Sequence, residues 1–171
     1  MAEPQRRRSD EEGFTLIELM VVVLIIGILL AIAVPTFLKA QNNAKTKAAT
    51  SNIRASLSSM KTIYADQQSY DATTITATIL KAAEPSIGWQ AAASTVPEQI
   101  SYAFGAATAP GDTVGLAVMS KPGDCFYIRD SVNPITGGTT FARIDASLNP
   151  TCTGLQALTT ATLPSPNAAG W

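Results

Sequence analysis

From Leu19 to Leu38 the chain carries no charged residue. Twenty residues at a 1.5 Å rise span about 30 Å, the thickness of a bilayer's hydrocarbon core. Val21-Val22-Val23-Leu24-Ile25-Ile26 is apolar on every side. That predicts a helix facing lipid or other apolar helices, not one amphipathic on a globular surface. A segment of this kind cannot be left in water, so it commits the chain to a membrane or to an assembly that covers it. Gly27 and Pro35 are its weak points. A proline inside a helix removes one hydrogen bond and clashes with the carbonyl four residues back, and a bilayer often accommodates it as a kink.

One acid opens the run. A carboxylate in an apolar helix costs about 2.5–3.5 kcal/mol on insertion scales. Glu18 therefore needs either a partner or a reach to the headgroups. Before it stand Gly13-Phe14-Thr15-Leu16-Ile17 and a charged leader with Arg6, Arg7 and Arg8 among Glu3, Asp10, Glu11 and Glu12. Arginines on this flank favour a cytoplasmic N-terminus. An ordinary secretory signal is cut after its apolar segment, at small residues. Ala31-Ile32-Ala33 offers such a site, and a cut there would release a soluble protein, but it leaves the Gly13–Glu18 arrangement without a purpose. A cut before Phe14 instead places a new α-amine four residues from Glu18, one turn away on the same face. Amine and carboxylate can then neutralise each other, within a chain or between chains.

The stretch Gly13-Phe14-Thr15-Leu16-Ile17-Glu18 resembles the prepilin signal of type IV pilins. The resemblance covers residues 1–65 closely and the remainder only in layout. It implies a leader, residues 1–13, removed after Gly13 by a prepilin peptidase, and N-methylation of the new N-terminus, Phe14. It implies that residues 14–38 anchor a single-pass precursor in the bacterial inner membrane and then form the core of an extracellular homo-oligomeric filament. Glu18 would pair with the Phe14 amine of a neighbouring subunit during assembly. Helicity would be lost between Gly27 and Pro35, the latter the twenty-second residue counted from Phe14. A platform protein and assembly ATPases are implied as partners. The first rival is a pseudopilin or minor pilin of a type II secretion or DNA-uptake system. The second is a tip-located adhesin or DNA-binding subunit.

Beyond Leu38 the helical signal continues with polar flanks. Ala40, Ala44 and Ala48 are spaced by four, and Ile53, Leu57, Met60 and Tyr64 follow at helical spacing. Residues 39–65 are thus expected to be an amphipathic extension, giving one helix from Phe14 to about Ala65 whose stripe packs as core under a sheet. Lys39, Lys45, Lys47, Arg54 and Lys61 stand on this stretch with no acid before Asp66. They read as a solvated basic face or as cations that meet acids of neighbouring subunits. Removing the seven charged leader residues from totals of 12 basic and 13 acidic leaves nine of each. That balance gives no general argument for nucleic-acid binding.

Residues 66–171 are expected to form the globular region. Thr73–Ala83 predicts a short helix with Ile75, Ile79 and Leu80 inward, and loop sequence follows through Pro85 and Pro97. Four strand-like runs come next: Ile100, Tyr102 and Phe104 in alternation, then Val114–Met119, Cys125–Arg129 and Thr139–Ile144. Pro110-Gly111-Asp112, Pro122-Gly123-Asp124 and Gly137-Gly138 punctuate them as turns. The fold class is α+β, a long N-terminal helix on a four-stranded antiparallel meander, which matches the pilin layout. An external, oxidising compartment favours a disulfide between Cys125 and Cys152, the only cysteines, as in many pilins. Two buried free thiols are the other reading. The segment from Leu158 to Trp171, with Thr and Ser near Pro164 and Pro166, reads as a surface tail that could carry O-glycans.

The absence of histidine removes the commonest general base and the usual triads. No glycine loop suited to phosphates is present, two cysteines without histidine make a poor zinc site, and no cofactor is expected. Asp124, Asp130 and Asp145 would hold calcium only if loops brought them together. Lys121, Arg129 and Arg143 are too scattered in sequence to establish a nucleic-acid surface. The expectation is a structural subunit, not an enzyme.

Overall fold

The computed structural model describes residues 13–105, 111–133, 137–148 and 150–159. The charged leader and the tail's Pro164 and Pro166 lie outside them. Packing divides the chain into two units, Met1–Ala40 and Gln41–Trp171. One helix, α1 (Leu16–Gln67), provides nearly all the described structure of the first unit and opens the second. It begins and ends two residues later than the sequence predicts.

In the second unit, α1 buries Ala49, Ile53, Ser56, Met60 and Ile63. Their spacing alternates four and three residues, so they form one row along the helix. The row differs from the expected stripe. Ala44 and Ala48 are exposed, while Leu57 and Tyr64 flank the row half-buried. A short helix, α2 (Ala77–Ala83), follows, starting four residues later than expected. Ile75 and Leu80 are buried and Ile79 packs against the core from its edge.

The sheet has five strands in the order β1-β2-β3-β4-β5. They are β1 (Gly88–Gln90), β2 (Gln99–Phe104), β3 (Thr113–Met119), β4 (Cys125–Ser131) and β5 (Gly138–Ile144). The last four form the predicted antiparallel meander. The expected count of four is corrected by β1, which pairs parallel to β2 with Trp89 opposite Ile100. Parallel neighbours ordinarily need a crossover of a dozen residues or more; here residues 91–98 suffice because side chains hold the loop. The buried Ser94 hydroxyl donates to Gln99 O and accepts from Met119 N, and Asn52 Nδ2 of α1 donates to Pro97 O at 2.8 Å.

Period-2 alternation sorts the strands between two cores. Ile100, Val114, Leu116, Val118, Phe126 and Ile128 join the buried row of α1. Ala117, Cys125, Tyr127 and Ala142 face the other way, against Cys152 and Ala157. Ala157 belongs to α3 (Gly154–Thr159), a helix the sequence reading did not anticipate. It lies so close that a Cβ on Gly154 would come within 2.5 Å of Ala103 N, and one on Gly115 within 2.2 Å of Gly154 O. Only glycine allows that approach. The β3–β4 hairpin turns at Gly123, whose φ of 100° is the left-handed geometry that Pro122-Gly123 predicted.

Candidate functional site

The first turn of α1 is built by a reciprocal pair. Glu18 N donates to Thr15 Oγ1 at 3.2 Å, while Thr15 N and Thr15 Oγ1 both donate to one oxygen of Glu18, at 3.0 and 2.9 Å. This is a capping box: threonine at the N-cap and glutamate three residues on, each satisfying a backbone N–H of the other. Within a single chain Glu18 is thus not an unpartnered charge; Thr15 occupies it. Sequence reasoning singled out Glu18 and passed over Thr15. The signal that would have found it is the Thr-x-x-Glu spacing immediately before an apolar run.

Around this turn the chain is open. Phe14 is 83% exposed, and no described residue beyond the chain neighbours of Gly13 lies within 4 Å of where its Cβ would stand. The large apolar side chains of residues 14–38 are all exposed, none below 47%. The helix is long and apolar enough to cross a membrane. It also runs on through Gly27 and Pro35 without a break, so the loss of helicity expected between them is not a feature of the single chain. Just past the proline, Thr36 Oγ1 donates back to Ile32 O and Ala33 O, at 3.1 and 2.9 Å.

The remaining candidates lie in the second unit. Cys125 and Cys152 form a disulfide with Cα atoms 5.6 Å apart. It ties β4 to the segment after β5, as expected. The three aspartates considered for calcium do not gather into one site, and each is already engaged. Asp124 accepts from Arg143 Nη2 at 2.7 Å and from Ala146 N at 3.0 Å. The carboxyl of Asp145 accepts the backbone N–H of Ser147, which holds its pKa below the usual range. Asp130, toward the far end of β4, accepts from Tyr70 Oη at 2.9 Å, from Thr139 Oγ1 and from Lys61 Nζ at 3.1 Å. Among the described residues, no group of three His, Cys, Asp or Glu side chains could hold a metal ion.

The Asp130 cluster is an internal fastening. It joins α1, the loop after it, β4 and β5 around a carboxylate whose residue is 3% exposed. A buried charge is tolerated only when paired and hydrogen-bonded, and here three donors meet it. Burial, aided by Asp130, raises the Tyr70 hydroxyl well above its ordinary pKa. Burial likewise pushes Tyr127 up to about 12. The basic residues weighed for nucleic-acid binding do not converge. Arg143 is held by Asp124 over the Phe126 ring, Lys121 is exposed in the β3–β4 turn, and Arg129 is half-buried farther along β4.

Comparison with known proteins locates similarity at the N-terminus. The family profile described as the prokaryotic N-terminal methylation motif matches residues 8–34. The type IV major pilin protein PilA of Myxococcus xanthus DK1622 is 48% identical over 65 residues, 38% of this chain and 30% of that protein. The type II secretion system core protein G of Pseudomonas aeruginosa PAO1 is 39% identical over 67 residues, 39% of this chain and 47% of that protein. The chain thus spans less than half the length of either relative. No solved structure matches it.

Proposed function

We propose, for a chain that belongs by its N-terminal segment to the type IV pilin and pseudopilin family, that it is the structural subunit of a type IV pilus filament. One observation carries this reading. An exposed apolar helical segment begins with a single carboxylate at the fourth position after an exposed glycine–phenylalanine junction. Cleavage after Gly13 frees the Phe14 amine, which is then N-methylated. Residues 14–38 hold the subunit in the inner membrane. Extraction exposes their apolar surface, and reburial against other copies drives assembly at about 25 cal/mol per Å². The space around Gly13 among the described residues supports a glycine kept for the peptidase.

Glu18 plays two parts in this scheme. In the membrane the capping box with Thr15 offsets its desolvation. In the filament it turns to the Phe14 amine of a neighbour, a charged donor that outcompetes a hydroxyl. Local loss of helicity between Gly27 and Pro35 belongs to the filament, where neighbouring helices can re-satisfy the freed carbonyls. The function is mechanical: no step calls for a catalytic group or a cofactor.

Similarity to a type II secretion core protein favours a second reading, a pseudopilin of a short periplasmic filament. Mass spectrometry of sheared surface material separates the two. An abundant chain beginning at N-methylated Phe14 is expected. Correct processing with absence from the sheared fraction would favour the pseudopilin, and a start after Ala33 would overturn the family mechanism. For Glu18→Val, membrane insertion should hold or improve while filament yield collapses; normal yield would remove the pairing from the mechanism. Gly13→Leu should retain the leader.

A further inference from the structure

The face of the sheet opposite α1 holds an arginine without a partner. Gly115, Arg129 and Thr140 stand side by side across β3, β4 and β5, on the face that carries α3. The end of α3 is pressed close over Gly115: Leu158 Cγ and Ala157 Cβ lie 2.9 and 3.2 Å from where its Cβ would stand. Arg129, directly opposite Gly115, is half-buried, and its Nε is shielded from solvent with no hydrogen-bond acceptor among the described residues. On its other side, Thr140 Oγ1 is directed to the Arg129 main-chain oxygen at 3.4 Å. Roughly 90% or more of buried polar atoms in folded proteins have a partner, and a donor of a charged group is the costliest to leave without one. The cover on this face also stops short. The helix α3 packs chiefly on β2, β3 and β4, while Gly138 and Thr140 of β5 are exposed.

We infer that the segment Thr160–Leu163 supplies the missing acceptor, lying across Arg129 as a strap that extends the cover of α3 toward β5. Cys125, Tyr127 and Arg129 occupy alternate positions of β4 and so share one face. The first two fasten the C-terminal stretch in chain order. Cys125 is bonded to Cys152, and Tyr127 Oη donates to Gln156 Oε1 at 3.0 Å. Arg129 is the next residue of that row, and the same step of four residues leads from Gln156 to Thr160. The distance is short enough. The chain leaves α3 at Thr159, one residue beyond Leu158. Two residues span at most about 7 Å, and directly paired strand residues have Cα atoms about 5 Å apart. From Thr160 to Trp171 no residue is charged, so the acceptor is a carbonyl or hydroxyl oxygen. Pro164 biases Leu163 toward an extended backbone, the form a strap over a sheet requires. A neutral acceptor leaves the guanidinium its charge, and a half-buried position keeps that charge in touch with water.

The test is magnetic resonance on the full chain, isotope-labelled and held in detergent micelles, so it does not depend on filament assembly. The Arg129 Nε proton should exchange with water at least about tenfold more slowly than that of free arginine, and it should show nuclear Overhauser contacts to protons of Thr160–Leu163. Burial alone also slows exchange, so the contacts decide. Contacts to other segments only, or exchange at the free rate, would overturn the strap. Protection that appears only when inorganic phosphate is added would overturn it in favour of an external anion. A second readout is the sign of Arg129→Met in denaturant unfolding. In the full chain the substitution should raise the unfolding equilibrium constant about tenfold, because a hydrogen bond from a charged donor is lost. In a chain ending at Thr159 it should be neutral or stabilising, because it removes a charge that the deletion has left unpaired. The same loss in both chains, or a gain in both, would overturn the strap. The resonance result stands whether or not the shortened chain folds.

Discussion

Residues 13–40 and the described residues from 41 onward manage apolar surface in opposite ways. In the first region the large apolar side chains from Phe14 to Leu38 all lie open. In the second, Ile53, Met60, Leu116, Phe126 and Ile128 are buried to within 1% in a core the chain builds for itself. The difference separates two kinds of stability. The second region folds on its own account, whereas the first is completed only by lipid or by other chains. Substitutions in the two should therefore register in different experiments, unfolding for one, insertion and assembly for the other.

The contrast breaks most readily at Phe126. Its replacement by alanine should cost about 3–5 kcal/mol by leaving a cavity between α1 and the sheet, measured by chemical denaturation in detergent with near-ultraviolet dichroism. Cys152→Ser should cost about 2–4 kcal/mol, and reductant added to the unmodified chain should produce the same shift. Asp130→Asn should cost about 1–3 kcal/mol, since Lys61 loses its counter-charge and one donor loses a full acceptor; a neutral result would mean the cluster is dispensable. At high pH the raised Tyr127 hydroxyl sets the direction. Its ionisation is disfavoured in the fold, so its contribution is complete below about pH 10 and is lost as pH rises toward about 12. Tyr127→Phe should lessen that alkaline decline, to which the raised Tyr70 also contributes, while costing about 1 kcal/mol at neutral pH through the lost bond to Gln156 Oε1. The smallest effect is expected for Leu24→Ala, which should leave unfolding of the second region unchanged. A measurable loss would show that the two regions are not energetically separate.

Four of the five strands were legible because their alternation is strong and turn residues separate them. The strand β1 was not, since three residues after Pro85 and Ser86 carry no pattern of their own. Its pairing is imposed by Ser94 and Asn52, which belong to other segments. The helix α3 was missed for a related reason: Gly154 opens it, and glycine there signals a turn until a neighbouring strand is seen pressing against it. The row buried by α1 was legible in period but displaced, because alanines at 44, 48 and 49 look alike until a sheet selects one. Of the aspartates considered for metal, the sequence showed three acids and hid the Lys61, Tyr70 and Arg143 partners that close them.

What the sequence by itself determined is the anchoring helix, its lone acid, the glycine junction before it and the α+β class. Each depends on hydrophobicity or spacing within a few residues, which folding does not alter. Only the tertiary structure decided the fifth strand, the burial of Asp130 and the two faces of the sheet. These depend on which distant segments meet, and long-range contact is set by the packing of the whole core.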